Sequence, residues 1–501
     1  MATATPMPPR ERYRDDPSVL TVLKSPRLFT REALAGLVVA LALIPEAISF
    51  SIIAGVDPRV GLFSSFVMAV TIAFVGGRPA MISAATGAVA LVIAPMMRDH
   101  GFDYFIATVL LAGVMQIVLA LIGVARLMRF IPRSVMVGFV NALAILVLIA
   151  QLPHLFGVPW LVYPLVAVGV AVIVLLPRLQ QVVPAPLIAV VLLTAAVLIF
   201  GWSVPNVGDQ GELPRSLPEL FLPQVPLTLE TLGIIGPTAF AMALVGLMES
   251  LLTAKLVDDI TDTRSNKTRE SWGQGVANLL SGFFGGMGGC AVIGQTMINV
   301  KVSGARSRVS TFLAGVFVLL LVVVLGDVVA LIPMAALVAV MIMVVISTFD
   351  WHSIRPSTLK RMPLSETLVM VATVVVVVIT HNLAIGVIVG VLVAMVLFAR
   401  RVAHFQSVRR EVTNASARYT VEGELFWASS NDLTTQFSYV DDPDHIVIDL
   451  SRSHIWDAST VAALDAIETK YGRLGKTVEL VGLNAASTSM RDRMTGQLGG
   501  E

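Results

Sequence analysis

Between Arg31 and Arg401 the sequence is a succession of apolar runs separated by short polar stretches. A helix needs about 20 apolar residues to cross a bilayer, and a spanning segment must satisfy its own backbone hydrogen bonds there. Runs of this kind lie near 33–53, 60–76, 83–97, 104–124, 132–152, 158–176 and 184–202. A polar gap follows, from Pro205 to Glu230, rich in Pro, Asp and Glu. Seven more runs then lie near 231–257, 273–285, 289–300, 309–325, 328–346, 364–380 and 383–399. Only 14% of the 501 residues are charged, against about 25% in soluble proteins. The fold class is therefore an α-helical polytopic membrane protein with 14 membrane segments.

The loop charges fit this count. With the N-terminus in the cytoplasm, the inner segments hold 23 Lys and Arg, while the outer loops hold only Arg59, Arg98 and Arg215. A missed or spurious span would scramble that positive-inside bias. The Pro205–Glu230 gap is then an outer loop. Residues 1–31 are polar, proline-containing and basic, without the apolar core and cleavage site of a signal peptide. The expected place is a bacterial-type inner membrane, with lipid as the surrounding partner. Basic residues are confined to loops and termini, so nucleic acid is not an expected partner. The lone Cys290 excludes an internal disulfide and argues against a cysteine-based metal site. No cofactor or metal is expected.

Seven spans is an odd number, so two consecutive seven-span units have opposite orientation, as inverted repeats do. The transporter-like region 32–401 divides into repeats of about 32–203 and 230–401. Two internal echoes support the division. The third run, from Ser83 through Thr86, Gly87 and Ala88, and the tenth, from Gly289 through Gly294, Gln295 and Thr296, both begin with small residues. Both are too short to cross as helices. The first run carries Glu46 and the eighth Glu249, 41 residues before Gly87 and 45 before Gly294 respectively. A carboxylate and a glycine break are tolerated in lipid only where they line a cavity or bind something. The stretch from Glu249 to Asn299 therefore reads as one half of a substrate site, and Glu46 to Ala88 as the other.

After Arg401 the composition changes, and residues 402–501 read as a small α/β domain on the cytoplasmic side. Tyr419 to Trp427, His445 to Leu450 and Val478 to Gly482 read as strands. Ser459 to Leu474 reads as a helix, with Val461, Leu464 and Ile467 at helical spacing.

Three segments together resemble the SulP anion transporters, the sulfate permease or solute-carrier-26 type. Ile44 to Ser65, with Pro45, Ala54-Gly55 and Gly61-Leu62-Phe63-Ser64-Ser65, is similar to the family's first-span signature, with Phe63 in place of Tyr. Met248 to Thr253 is the second segment. The third is the C-terminal domain, which resembles a STAS domain; Asp457-Ala458-Ser459-Thr460 matches its Asp-x-Ser-Gly turn with Thr460 in place of Gly. The resemblance implies intertwined inverted repeats forming a core and a gate domain, a homodimer, and a small inorganic anion or organic dicarboxylate as substrate. Prokaryotic members of the family are often H⁺ or Na⁺ symporters.

It also implies that the third and tenth helices begin near the midplane, facing each other. Each helix start presents unpaired N–H groups and roughly half a positive charge, so an anion binds there without a dedicated cation. No Arg or Lys lies within either run. Thr86, Gly87 and Ala88 would form one end of the site, and Gly294, Gln295 and Thr296 the other. Some family members have a basic residue where this chain has Gln295. The plainer reading is helix packing through small residues. Glu249 is the expected ion-coupling acid; Na⁺-coupled members have Asp there, and a Glu favours H⁺ over Na⁺. Glu46 is either a second proton site beside the anion or an acid turned away from it, and Phe50 caps the pocket. Cys290 reads as a small packing residue. Asp258, Asp259 and Asp262 with Arg264, Lys267 and Arg269 read as a solvated loop. Ser459 matches a phosphorylatable serine of bacterial STAS domains, though capping its own helix is the simpler role.

The reading is a secondary active anion transporter, proton-coupled, with an elevator or rocking movement of the core. A nucleobase:H⁺ symporter of the same fold and an anion channel are the rivals. An intramembrane enzyme would need a clustered nucleophile and base or a metal constellation, and the spans carry none.

Overall fold

The structure is a computed structural model that describes residues 17–124, 131–178, 185–214, 216–403, 407–413 and 415–496. Residues 1–16 and the loop charges Arg126, Arg129 and Arg215 lie outside the described residues. The chain forms two compact units, Met1–Val391 and Leu392–Glu501.

The first repeat opens with a short helix α1 (Val19–Lys24), capped by the Ser18 hydroxyl, which accepts from Thr21 N. Pro26 then starts α2 (Pro26–Ala54), and Gly55 ends it in the left-handed conformation at φ 77°. Pro58 starts α3 (Pro58–Val75). Proline suits a helix's first turn, where an N–H has no intrahelical partner, and glycine suits the left-handed cap. Next come strand β1 (Ser83–Ala84) and α4 (Gly87–His100), then α5 (Phe102–Leu121), α6 (Arg133–Gln151), α7 (Val162–Leu175) and α8 (Ala185–Phe200).

The second repeat runs through α9 (Leu229–Thr261), α10 (Lys267–Phe283), strand β2 (Cys290–Ala291) and the short α11 (Ile293–Met297), which continues into a π-helical turn over Ile298–Val302. It ends with α12 (Arg308–Ala330), α13 (Met334–Thr348), the peripheral α14 (Pro356–Arg361), α15 (Leu364–Thr380) and α16 (Leu383–Ala403). Seven of the described helices are long and apolar enough to cross a membrane, and four more are shorter apolar helices. The third and tenth segments are strand–helix pairs rather than full helices.

Helix packing sorts these elements into two groups. Helices α2, α3, α4 and α5 of the first repeat pack against α9, α10, α11 and α12 of the second. Helices α6, α7 and α8 pack against α13 and α15. The repeats are thus intertwined, each giving half of a core group and half of a gate group. Apolar surface gains little from helix association in lipid, so close backbone approach has to drive it. Helices α5 and α10 meet at reciprocal glycines: a Cβ on Gly113 would sit 2.8 Å from Gly275 O, and one on Gly275 would sit 2.6 Å from Gly113 O.

Buried charges tie the repeats together at one end of the core group. Glu32 of α2, fully buried, accepts from Arg306 N (2.8 Å), Ser307 N (3.2 Å) and the Ser307 hydroxyl (2.8 Å) just before α12. Glu270 of α10 accepts from Gly77 N (2.7 Å) and Arg78 N (3.0 Å). The Arg78 guanidinium donates to Asp258, Thr261 and Thr263, and Asp258 also accepts from Ser265 and Lys267. Of the charged residues from Asp258 to Arg269, expected to be solvated, Asp258 and Lys267 belong to an ordered network around the buried Arg78, whereas Asp259, Asp262, Arg264 and Arg269 are exposed. The polar turns between spans have to pair their backbone groups somewhere, and these side chains do it.

The second unit holds a four-stranded sheet of β3 (Ser407–Val412), β4 (Ser416–Leu425), β5 (His445–Ile455) and β6 (Thr477–Val481) in that spatial order. The first pair is antiparallel and the other two are parallel. Helices α17 (Trp427–Leu433), α18 (Ala458–Arg473) and α19 (Ala485–Met494) complete it. Its core includes Tyr419, Val421, Ile446, Ile448, Val461, Leu464 and Ile467. Within it Asp442 accepts from the hydroxyls of Tyr419 (2.7 Å) and Tyr471 (2.5 Å). Ser459 does not cap α18. Asp457 does, accepting from Thr460 N at 3.1 Å and from Trp427 N at 2.6 Å, while Ser459 sits exposed on the first turn. An Asp one residue before the helix reaches the orphan N–H that a serine already inside the helix cannot.

Replacing Gly275 by Val should cost about 1–3 kcal/mol, the usual penalty of overpacking, because the neighbouring backbone cannot yield. A thermal melt of the solubilised protein would show it as a clearly lower midpoint. In the C-terminal unit, hydrogen bonds from Arg418 and Ser451 hold the Asp449 carboxyl down at about 2, from an ordinary 3.8. A depressed carboxyl gives stability that is complete above its unfolded value and is lost as pH falls through its folded one. Protection of the β4 and β5 amides, taken relative to their intrinsic exchange rates, should therefore fall as pH drops from about 3.8 towards about 2, and Asp449→Asn should flatten that dependence.

Candidate functional site

The two short strands meet. Ser83 pairs with Ala291 and Ala84 with Cys290, antiparallel, so the two repeats cross here. Each strand leads directly into a helix start, α4 on one side and α11 on the other. Extended backbone in the apolar interior needs partners for every N–H and C=O, and side chains of the core group supply them. Ala85 N donates to Ser65 Oγ (3.3 Å), Ile82 N to Thr296 Oγ1 (3.0 Å) and Ala291 N to Ser250 Oγ (3.1 Å). Thr311 and Asn299 donate to the carbonyls of Met81 (3.2 Å) and Ala80 (2.8 Å). The turn before β2 is left-handed at Gly285 (φ 67°) and Gly288 (φ 68°). Asn278 of α10 grips the backbone of Gly289 at both N–H (2.8 Å) and C=O (3.1 Å). A Cβ at Gly289 would lie 1.9 Å from Ala84 O, so the strands can approach only with glycine there.

Beside the crossing lies a cavity of about 470 Å³. Its core-side wall is Glu46 and Phe50 of α2, Thr86, Gly87 and Ala88 at the start of α4, Glu249 and Leu252 of α9, and Val292 to Gln295 at the start of α11. Its other wall comes from α6, with Phe139, Leu143 and Val147, and from α13, with Val344, Ser347 and Thr348. No Arg or Lys is among the lining residues. The Thr86 hydroxyl caps α4, accepting from Val89 N at 3.4 Å. The N–H groups of Gly87 and Ala88 lie in the unpaired first turn.

The two acids have separate partners. Glu46 lies within hydrogen-bonding reach of the Gln295 side chain. Glu249, 8% exposed, accepts from the Cys290 thiol at 2.8 Å, and the same sulfur lies 3.1 Å from the Thr86 hydroxyl. The Gln295 side-chain oxygen has no hydrogen-bond partner although the residue is only 1% exposed. A buried polar atom left unpaired costs about 1–3 kcal/mol, so this one marks a place where a ligand or water belongs.

A family model for the sulfate permease family matches residues 29–162 and 164–373, and one for the STAS domain matches 407–494. The chain belongs to the sulfate permease family. It is similar to YbaR of Bacillus subtilis, with 51% identity over 464 residues, 93% of this chain and 96% of that one. It is also similar to the bicarbonate transporter BicA of Picosynechococcus, with 27% identity, 86% of this chain and 85% of that one. In fold it resembles the transmembrane domain of a cyanobacterial bicarbonate transporter BicA, with a TM-score of 0.62 at 24% identity, over 74% of this chain and 98% of that one. It also resembles the murine Solute Carrier 26 family member A9, with a TM-score of 0.79 at 18% identity, over 93% and 87% of the two chains. Like its relatives, this sulfate permease family member is a membrane transporter and not an enzyme.

Of the residues singled out from the sequence, Glu46, Phe50, Thr86, Gly87, Ala88, Glu249, Gly294 and Gln295 all line this one cavity. Phe50 lies against Gly87, where a Cβ would sit 2.9 Å from its ring. Thr296 does not line it. Its hydroxyl is fully buried and accepts from Ile82 N, so it serves the strand crossing. The α6 and α13 wall was not expected, since apolar helix positions carry no signal that separates a cavity wall from ordinary packing. Cys290, read as a packing residue, is the hydrogen-bond partner of Glu249. Its place on a strand beside a buried acid was not legible from spacing alone.

Gly294 offers a test of the cavity. A Cβ there meets nothing within 4 Å. Gly294→Val should therefore keep the fold, with a melting midpoint near that of the unaltered protein, while filling the space between the helix starts and abolishing anion uptake in proteoliposomes.

Proposed function

We propose that this chain is a secondary active transporter of a small anion, working as a proton-coupled symporter. One observation carries the reading: the cavity lies at two opposed helix starts, holds two carboxyl groups, and has no cationic side chain among its lining residues. Helix starts with free N–H groups favour an anion, whereas a deprotonated acid beside it repels it. Protonating an acid removes that repulsion, so anion and proton favour each other's binding. Such mutual favour is the thermodynamic requirement for symport. The family name and the BicA relatives point to sulfate or bicarbonate as the anion to try first.

Glu249 is the proposed coupling acid, with Glu46 as a second proton site, and H⁺ rather than Na⁺ as the coupling ion. The carboxyl and amide groups of the cavity all belong to the core group, whereas the α6 and α13 wall is apolar apart from the hydroxyls of Ser347 and Thr348. A movement of the core group past the gate group would carry the whole site with it, and an apolar wall offers little that must be broken. This supports an elevator-like movement. We further propose a homodimer in the inner membrane of a bacterial-type cell, with the N-terminus and the C-terminal unit on the cytoplasmic side. A nucleobase symporter is disfavoured by the family match, and a channel would show voltage-dependent current without fixed stoichiometry.

Counterflow of labelled sulfate and bicarbonate in proteoliposomes, with and without pH and Na⁺ gradients, tests the reading. Glu249→Gln should reduce pH-driven uptake by about tenfold or more, a loss of at least about 1.4 kcal/mol in driving interaction, while anion binding stays measurable. Undiminished pH-driven uptake in that variant would remove Glu249 from the mechanism.

A further inference from the structure

Glu249 and Thr86 both line the cavity, but no hydrogen bond joins them directly. Between them, fully buried behind the wall, is the Cys290 sulfur, 2.8 Å from Glu249 Oε2 and 3.1 Å from Thr86 Oγ1. A thiol carries one proton and can accept another hydrogen bond, so it can point its proton only one way at a time. That makes the three groups a directional chain.

With Glu249 charged, the carboxylate can only accept. The Cys290 S–H then donates to Oε2, and the sulfur is free to accept the Thr86 O–H. The threonine proton is used up behind the wall. With Glu249 protonated on Oε2, its O–H donates to the sulfur, the S–H turns to Thr86 Oγ1, and the Thr86 O–H is released into the cavity. Thr86 Oγ1 also accepts from Val89 N, so its own proton is the group left to turn. No proton leaves its heavy atom after the first arrives at Glu249. Three X–H groups rotate.

We propose that Cys290 is a positioning residue that relays the protonation of Glu249 to the anion site by reversing this hydrogen-bond chain, giving the anion an extra donor from Thr86 only when the proton is bound. The inference rests on the proton-coupled reading above and adds to the loss of repulsion a second physical link between its two ions. The unpaired, buried side-chain oxygen of Gln295 in the same cavity is the independent sign that a ligand sits within reach of these groups. The other titratable groups around Glu249 are few. Glu46 of α2 lines the cavity, within hydrogen-bonding reach of Gln295. Helix α4 has no ionisable residue before Arg98, α5 has none after Tyr104, and α11 has none. On α10, Glu270 is engaged by Gly77, Arg78 and Gln274.

The chain has a single cysteine, so its S–H stretching band in the infrared can be assigned without mutation. Difference spectra of the full-length protein in lipid, taken across a pH titration, read both the band and the Glu249 carboxyl. The expected result is that the S–H band moves between two positions in step with the carboxyl, that Glu249→Gln freezes it, and that Thr86→Val displaces only the acid-side position. Labelled-sulfate counterflow gives a second measure. Cys290→Ala should bring the ratio of acid to alkaline uptake towards unity, and Cys290→Ser, which keeps one donor and one acceptor, should restore much of it. An S–H band that stays put while the Glu249 carboxyl titrates would overturn the relay and leave proton coupling standing, as would an unchanged ratio in Cys290→Ala. A Glu249 carboxyl that does not titrate would overturn both.

Discussion

Backbone polarity in an apolar medium is the constraint on which this structure depends. A cavity deep in the transporter needs helices that begin in the middle of the protein, and helices that begin there expose strand and turn. Every such group must be paired from within. The solution is a crossing of two strands of two residues each, one from each repeat, with side chains of the surrounding helices on the remaining donors and acceptors. Ser65, Ser250, Asn278, Asn299, Thr296 and Thr311 are buried polar residues in otherwise apolar surroundings, and each bonds strand or turn backbone. Without the second repeat β1 would lose its paired strand, so the site cannot be assembled from one half of the chain.

The same constraint explains what the sequence disclosed. Fourteen apolar segments, the odd number in each half, the short third and tenth runs and the two acids at matching depth all follow from hydrophobic length and from the cost of polar groups in lipid. Glu46, Glu249, Thr86, Gly87 and Gly294 could be named because each is an anomaly in an apolar run. Thr296 is an anomaly too, yet its hydroxyl pairs the backbone of Ile82 rather than facing the cavity. A hydroxyl that pairs backbone and one that faces a cavity leave the same trace in a sequence, and only the register of β1 against β2 separates them.

What stayed hidden was hidden for two reasons. The cavity's second wall is made of ordinary apolar positions such as Phe139 and Val344, which look like any core residue. The buried charge network around Arg78, Asp258 and Lys267 lies in segments that read as loop, because charges near span ends are usually solvated. In the C-terminal unit the helix α18 was legible from its apolar spacing, yet its cap was misplaced by two residues, from Asp457 to Ser459. Cap identity depends on where the first helical residue falls, which is the least certain part of a boundary.

A cavity wall without a guanidinium or ammonium group has an electrical consequence. A fixed cation that travelled with a moving site would have to be returned through the membrane voltage on every empty trip, at about 2.3 kcal/mol per charge for each 100 mV. The positive potential at a helix start is one end of a dipole whose other end is equally negative. Moving it displaces no net charge. In the proposed moving-site reading, the voltage would therefore act on the unloaded site only through the carboxyl groups of Glu46 and Glu249.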